Sequence, residues 1–201
     1  MTETTLASRD DRPKEFTQEE LGWAPWLEPL SEDQLTDRHW AGLVDRSRAK
    51  SPYFMLLARD PEILEARTKT DKDIFYNQAG GLPRAERELA ATAASRLNGC
   101  IFCASVHARF ASTHSKRGHD VQRLLDEGVG VKLDERWSAV VSAAAALTRT
   151  PPEFGPQHVE RLRQAGLDDL AILDVIQSAA FFAWANRLML SLGEPTPAAE
   201  S

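Results

Sequence analysis

The sequence lacks the features that would place it in a membrane, in a secretory pathway or on nucleic acid. No stretch approaches the roughly 20 apolar residues that a membrane-spanning helix needs, and the polar start of the chain has no apolar core of a secretory signal. The formal net charge is −6 and no basic stripe is present, which disfavours nucleic-acid binding. We therefore expect a cytoplasmic protein that binds neither membranes nor nucleic acid.

Cysteine is nearly absent as well. The 201 residues include only 2 cysteines, Cys100 and Cys103. Cysteines this close together cannot join distant segments, which excludes a disulfide scaffold. In a cytoplasmic protein, the C-x-x-C spacing indicates redox chemistry or metal binding.

Strand signals are scarce, and helix signals replace them. Alternation of apolar and polar residues is rare and no β-hairpin motif occurs, whereas helix starts marked by aspartate or proline follow one another along the chain. The signals predict helices over residues 60–77, 83–98, 100–114, 120–126, 134–149, 156–166 and 168–192. We therefore predict an all-α helical bundle with seven or more helices, in which Cys100 lies at or near a helix N-terminus.

Composition divides the chain into a helical body, an arm and two tails. The predicted segments are a disordered tail (1–15), an N-terminal arm (16–50), the helical domain (51–195) and a second disordered tail (196–201). The arm is interrupted by prolines, so we expect short turns and extended chain there. Its tryptophans, Trp23, Trp26 and Trp40, are too apolar to remain in water, and the arm should therefore pack on the body or on a neighbouring subunit.

The residues that carry chemistry lie in the middle of the chain. On a helix, Cys100, Cys103 and His107 share one stripe because they are three and four residues apart. Asn98-Gly99 interrupts the preceding helix and places the cysteines in a first helical turn, where backbone N–H groups stabilise a thiolate. His107, one turn after Cys103, could take its proton. This spacing predicts a reactive dithiol in which Cys103 attacks a substrate.

Two other interpretations of the same residues remain open at this point. The cysteines could be small buried core residues. Alternatively, C-x-x-C-x-x-x-H could bind zinc with His114 or His119 as a fourth ligand, although structural zinc sites usually join two separated ligand pairs. Glu88, on the preceding helix, could reach the site only if the two helices fold against one another.

The pattern E-x11-C-x-x-C-x-x-x-H, on an Ala-rich helix broken by Asn-Gly, resembles the alkylhydroperoxidase D / carboxymuconolactone decarboxylase family. The resemblance is most specific over Pro83 to Phe110 and extends more loosely from Ser51 to Gly193. The ending NRLMLSLGEP, from Asn186, is similar to the tail of the peroxidase-related branch. The resemblance implies an all-helical fold of the alkylhydroperoxidase D-like type and a homo-oligomer.

The resemblance also implies roles for the central residues. In hydroperoxidases of the family, the second cysteine attacks the peroxide and the first resolves the product, which corresponds to Cys103 and Cys100. A histidine and an upstream glutamate relay protons, which corresponds to His107 and Glu88. The best-known member has a second histidine between the cysteines, where this chain has Phe102. The decarboxylase branch typically lacks the cysteine pair, so that activity is not implied.

The sequence therefore predicts a thiol-dependent peroxidase that reduces hydroperoxides to alcohols. It would need no metal and no other cofactor, and an external dithiol such as a lipoyl or thioredoxin-like protein would reduce its disulfide. Two alternatives are a dithiol–disulfide oxidoreductase with a non-peroxide substrate and a non-enzymatic redox sensor or binding subunit.

Overall fold

The computed structural model of the protein describes residues 11–198, and within them the chain forms nine α-helices and two short strands. The helices are α1 (Asp37–Leu43), α2 (Pro52–Leu57), α3 (Pro61–Tyr76), α4 (Arg84–Asn98), α5 (Ile101–Ser115), α6 (Gly118–Glu127), α7 (Glu135–Thr148), α8 (Pro156–Gln164) and α9 (Asp169–Leu192). The strands are β1 (Gly22–Pro25) and β2 (Gly193–Thr196). The prediction of an all-α bundle is confirmed. None of the helices described is long and apolar enough to cross a membrane.

The helix ends follow local side-chain chemistry. Asp60, Asp134 and Asp168 each accept a hydrogen bond from a backbone N–H in the first turn of the following helix, which satisfies a group that has no partner inside the helix. Helix α4 ends at Gly99, whose φ of +79° lies in the left-handed region that glycine adopts without strain. Helix α5 begins immediately afterwards, with Cys100 as its N-cap residue.

Helix α4 lies at the centre of the bundle, packed against α5, α7 and α9. Its buried residues include four alanines whose side chains are fully buried: Ala90, Ala91, Ala93 and Ala94. Because alanine side chains are short, the neighbouring helices can approach closely. The hairpin of α4 and α5 therefore brings residues from two helices into one buried site.

A small antiparallel sheet ties the arm to the end of α9. In this sheet Trp23 is paired with Pro195, and Pro25 with Gly193. A Cβ atom at Gly193 would lie 2.3 Å from the Ala24 carbonyl oxygen, so the close approach requires glycine. The strands leave no hairpin signal in the sequence because they pair across nearly the whole chain. The Trp23 indole is buried and packs edge-on against Tyr53, with ring centroids 5.5 Å apart.

The prediction that the arm contains only short turns and extended chain was wrong at α1. This helix begins with a capping box in which the Thr36 backbone N–H donates to His39 Nδ1 at 3.0 Å. Histidine occupies the position where glutamate or glutamine is the usual signal. Leu43, at the end of α1, is fully buried in a second core cluster with Met55 and Leu64. Of the two predicted tails, residues 1–10 and 199–201 lie outside the described residues.

Candidate active site

The two cysteines lie where α4 turns into α5. Cys100 precedes the first residue of α5, as the sequence predicts, and Cys103 lies in the first turn. Their Sγ atoms are 2.8 Å apart, and both residues are free thiols that are about 95% or more buried, with 2% and 5% exposure. Both side chains also belong to the main hydrophobic cluster. The helical hairpin therefore holds a dithiol in close contact within the core.

Glu88 and His107 meet across the α4–α5 hairpin. The Glu88 Oε2 atom lies 2.5 Å from His107 Nδ1, and Glu88 Oε1 accepts a hydrogen bond of 3.1 Å from Arg84 Nε. Glu88 is only 1% exposed. The rings of Phe75 and Phe182 enclose the imidazole, with centroids 5.2 and 3.9 Å from it. The condition that sequence analysis left open, that the two helices fold against one another, is met.

This arrangement controls which nitrogen of His107 is available for chemistry. A carboxylate can only accept a hydrogen bond, so a neutral imidazole in contact with Glu88 carries its proton on Nδ1. The other ring nitrogen, Nε2, then keeps its lone pair. The pair can therefore accept a proton at Nε2, and the Glu88 charge stabilises the imidazolium that results.

The close contact of the sulfur atoms separates the pKa values of the two thiols. A hydrogen bond from the Cys103 side chain lowers the pKa of Cys100, outweighing the opposing effect of burial, and the nearby backbone N–H of Cys103 adds to it. Burial raises the pKa of Cys103 well above its ordinary value, and the neighbouring Cys100 raises it further. The first proton of the dithiol is therefore lost mainly from Cys100.

Asn186 on α9 is a site residue that sequence analysis did not assign. It is fully buried, and its side-chain amide acts to lower the pKa of both cysteines. Its Oδ1 accepts a hydrogen bond from Asn98 Nδ2 and its Nδ2 donates to Ser95 Oγ, both at 3.0 Å. The only signal was its place at the start of the NRLMLSLGEP motif. Asn186 thus provides a fixed N–H dipole beside the dithiol.

The dithiol separates two cavities. Cys103 lines a cavity of about 310 Å³ together with Glu88 and His107. Cys100 lines a different cavity of about 410 Å³, which the arm encloses from one side through Trp23 and other residues. Phe102 and Met189 contribute to both walls. Although the cysteines belong to one helical turn, they therefore face different spaces.

The ligand set considered for zinc is not assembled. Among residues 11–198, no group of three or more histidine, cysteine, aspartate or glutamate side chains could hold a metal ion. His107 is engaged with Glu88, and His114 lines a third cavity that contains neither cysteine.

Part of the chain matches a known family of proteins. Residues 61–146 match the model of the carboxymuconolactone decarboxylase family, the family that the central motif resembles. A search of curated proteins found no significant match.

Several solved structures share the fold. An uncharacterized peroxidase-related protein from Silicibacter sp. TM1040 superposes with a TM-score of 0.71 at 24% identity, covering 86% of this chain and 92% of that one. An uncharacterized peroxidase-related protein from Ralstonia eutropha JMP134, with an alkylhydroperoxidase AhpD core, gives a TM-score of 0.72 at 22% identity over 87% and 92% of the chains. The debrominase Bmp8 gives 0.66 at 15% identity over 82% and 88%.

Proposed function

We propose that the protein is a thiol-dependent hydroperoxide reductase that cycles between the Cys100/Cys103 dithiol and a disulfide. The observation that carries the proposal is the position of Cys103. Its thiol shares one mostly apolar cavity with the Glu88–His107 pair and is in contact with a second thiol. A nucleophile and a proton relay are needed to break an O–O bond, and a second thiol is needed to resolve the sulfenic acid that results.

The reaction takes place in two steps with balanced atoms. The Cys103 thiolate attacks one peroxide oxygen, the O–O bond breaks, and the alkoxide leaves as an alcohol with a proton supplied by His107. Cys103 is then a sulfenic acid, which Cys100 attacks to form a disulfide, and the Cys100 proton leaves with the sulfenic hydroxyl as water. One hydroperoxide is reduced to an alcohol and water while two thiols are oxidised.

The assignment of Cys103 as the attacking thiol depends on access rather than acidity. Cys100 has the lower pKa, but Cys103 is the cysteine that lines the cavity containing His107 and Glu88. Because the sulfur atoms are 2.8 Å apart, a proton can pass from Cys103 to the Cys100 thiolate before attack. Cys100 therefore acts first as the base that activates Cys103 and afterwards as the resolving thiol.

Regeneration of the dithiol uses the other side of the site. An external dithiol carrier, such as a lipoyl group or a thioredoxin-like protein, attacks the disulfide at the Cys100 sulfur through the cavity that the arm encloses. The thiolate of Cys103 leaves, and the second thiol of the carrier then attacks the mixed disulfide, which releases Cys100 and oxidises the carrier to its own disulfide. Peroxide and reductant thus approach from different cavities.

Two cysteine variants test the proposal. Cys103→Ser should lose oxidation by stoichiometric hydroperoxide, whereas Cys100→Ser should react once and remain as a sulfenic acid at Cys103. The measurement is labelling with a sulfenic-specific reagent followed by mass spectrometry. A label on Cys100 in the Cys103→Ser protein, with none on Cys103 in the converse variant, would reverse the roles.

The same chemistry separates this function from its alternatives. The reduced wild-type protein should lose two thiols per chain rapidly with organic hydroperoxides, and a dithiol should restore them. Slow loss with every hydroperoxide, combined with rapid exchange with disulfides, would instead support a dithiol–disulfide oxidoreductase. Slow loss with both would support a redox sensor or binding subunit.

We also propose that the protein assembles as a homo-oligomer. Helix α9 has large apolar side chains that are 40–49% exposed: Leu170, Leu173, Trp184 and Leu190. Side chains of this size and exposure along one helix are typical of contact surfaces.

A further inference from the structure

Arg67 on α3 is a buried cation without the partners that a buried guanidinium normally has. It is 8% exposed, and its Nε and Nη1 atoms have no hydrogen-bond acceptor. Nη1 lies 3.3 Å from Asp71 Oδ2, outside hydrogen-bond geometry, and Arg48 approaches the same carboxylate at 3.9 Å. One carboxylate therefore faces two guanidinium groups, which leaves a net positive charge at this end of the site.

The position of Arg67 is fixed by aromatic rings. Its guanidinium carbon lies 5.2 Å from the centroid of Phe54 and 5.3 Å from that of Phe181. These contacts hold the cation in place but use none of its N–H donors. The N–H donors are therefore available to a ligand. A ligand that accepts from them is favoured, because a buried N–H group without an acceptor costs free energy.

Arg67 lines the same cavity as Cys103, and a second unpartnered donor is present there. The Tyr53 hydroxyl also lines this cavity, close enough to Arg67 to feel its charge, and is buried without a hydrogen bond of normal geometry. Burial raises the pKa of Tyr53 to about 12, so the phenol is a neutral donor at physiological pH. Most of the remaining wall is apolar, including Phe75, Phe110 and Phe182. The Arg67 guanidinium and the Tyr53 hydroxyl thus lie in a cavity whose wall is mostly apolar but also includes Asp71 and the Glu88–His107 pair.

We propose that Arg67 and Tyr53 bind the carboxylate of a small amphipathic organic acid whose apolar body lies against the aromatic wall. A carboxylate matches the planar guanidinium through two parallel hydrogen bonds. The cavity volume of about 310 Å³ is at the low end for ligand pockets and suits a small molecule. In this proposal the acid is also a hydroperoxide that Cys103 reduces, and that part rests on the proposed function.

The binding test uses two unreactive ligands that differ in the head group, which is a carboxylate in one and a neutral hydroxyl in the other. Phenylbutyrate and phenylbutanol share one apolar body, and their affinities for the reduced protein are measured by calorimetry. We expect the carboxylate to bind about 10- to 100-fold more tightly than the alcohol. Equal affinities in the wild-type protein would overturn the proposal, and so would sulfate binding as tightly as phenylbutyrate.

Arginine variants test whether Arg67 is the positive charge that binds the carboxylate. Arg67→Met should abolish the preference for the carboxylate, and Arg96→Met should retain it. Arg96 is a matched control because it also stacks on an aromatic ring, that of Phe16 at 4.2 Å, but lies outside this cavity. The double variant Arg67→Met/Asp71→Asn removes both charges, so the loss of preference can be measured with the local net charge unchanged. Retained preference in either Arg67 variant would contradict the proposal.

Kinetics then connect the site with peroxide reduction. For a hydroperoxide that bears a carboxylate, Arg67→Met should raise KM at least about 10-fold more than it raises KM for cumene hydroperoxide. Anion binding without hydroperoxide turnover would leave the anion site standing and refute the proposed function. An equal effect on both peroxides would refute the recognition of a carboxylate by Arg67.

Discussion

The Glu88→Gln substitution removes one negative charge with little change in shape, and so isolates the role of the carboxylate. Glu88 is 1% exposed and has close contacts with His107 Nδ1 at 2.5 Å and Arg84 Nε at 3.1 Å. A neutral amide accepts at one oxygen only, so one of these contacts loses its acceptor. Hydrogen bonds to charged groups contribute about 1.5–3 kcal/mol, and we expect the free energy of unfolding to fall by about 2–3 kcal/mol.

The larger effect should be on reaction with peroxide. Without the carboxylate, His107 is neither held in the Nδ1-protonated form nor stabilised as an imidazolium. Removal of a proton-relay member costs on the order of 10²–10⁴ in rate. The assay is stopped-flow mixing of reduced protein with an organic hydroperoxide, followed by the loss of free thiols. His107→Gln should be similarly slow, and the double variant should be little slower than either single one because the pair acts as a unit.

Glu86→Gln is the matched control. Glu86 lies on the same helix, is 7% exposed and accepts two hydrogen bonds from Arg136, at 2.7 and 2.8 Å. Its substitution should cause a comparable loss of stability but leave the reaction with peroxide at the wild-type rate. If Glu88→Gln also reacts at the wild-type rate, the relay assignment is refuted and the Glu88–His107 contact is structural.

Three further predictions follow from other parts of the molecule. Asn186→Ala should shift the pH profile of Cys100 alkylation to higher pH, because the Asn186 amide lowers the pKa of this thiol. An unchanged profile would show that the amide does not act on the thiol. Leu173→Glu, at one of the exposed apolar side chains of α9, should reduce the sedimenting mass of the oligomer, and a wild-type monomer of 22.3 kDa at micromolar concentration would refute assembly. Tyr53→Phe should leave the free energy of unfolding in urea unchanged or raise it by up to about 1 kcal/mol, because the buried hydroxyl has no hydrogen-bond partner. A clear fall in this free energy would show that the hydroxyl makes a stabilising hydrogen bond.

Helix boundaries were predictable because the signals that start and end these helices are local. Asp60, Asp134 and Asp168 cap the helices that follow them, and Gly99 ends α4, as the sequence indicates. The arm was predictable only in part. The start of α1 depends on a histidine in an unusual capping role, and the two strands depend on a pairing between distant segments. Neither feature has a short-range signal that distinguishes it from a loop.

The sequence by itself determined the features that depend on helix periodicity and on residue type. The spacing of Cys100, Cys103 and His107 places two thiols and an imidazole in the first turns of one helix, and the turn at Gly99 places that helix against the preceding one. These relations depend on rotation and rise per residue, which are the same in every α-helix. The residue types and their order were therefore sufficient to predict a redox site.

Only the tertiary structure decided what surrounds that site. The packing of α4 on α5 brings Glu88 to His107, and the return of α9 brings Asn186 beside the sulfur atoms. The same packing gives the two adjacent cysteines different surroundings. Cys103 lines the cavity that contains Arg67, whereas Cys100 lines the cavity next to the arm. These contacts join residues far apart in the chain, and their existence depends on how close-packed helices fit together rather than on any local pattern.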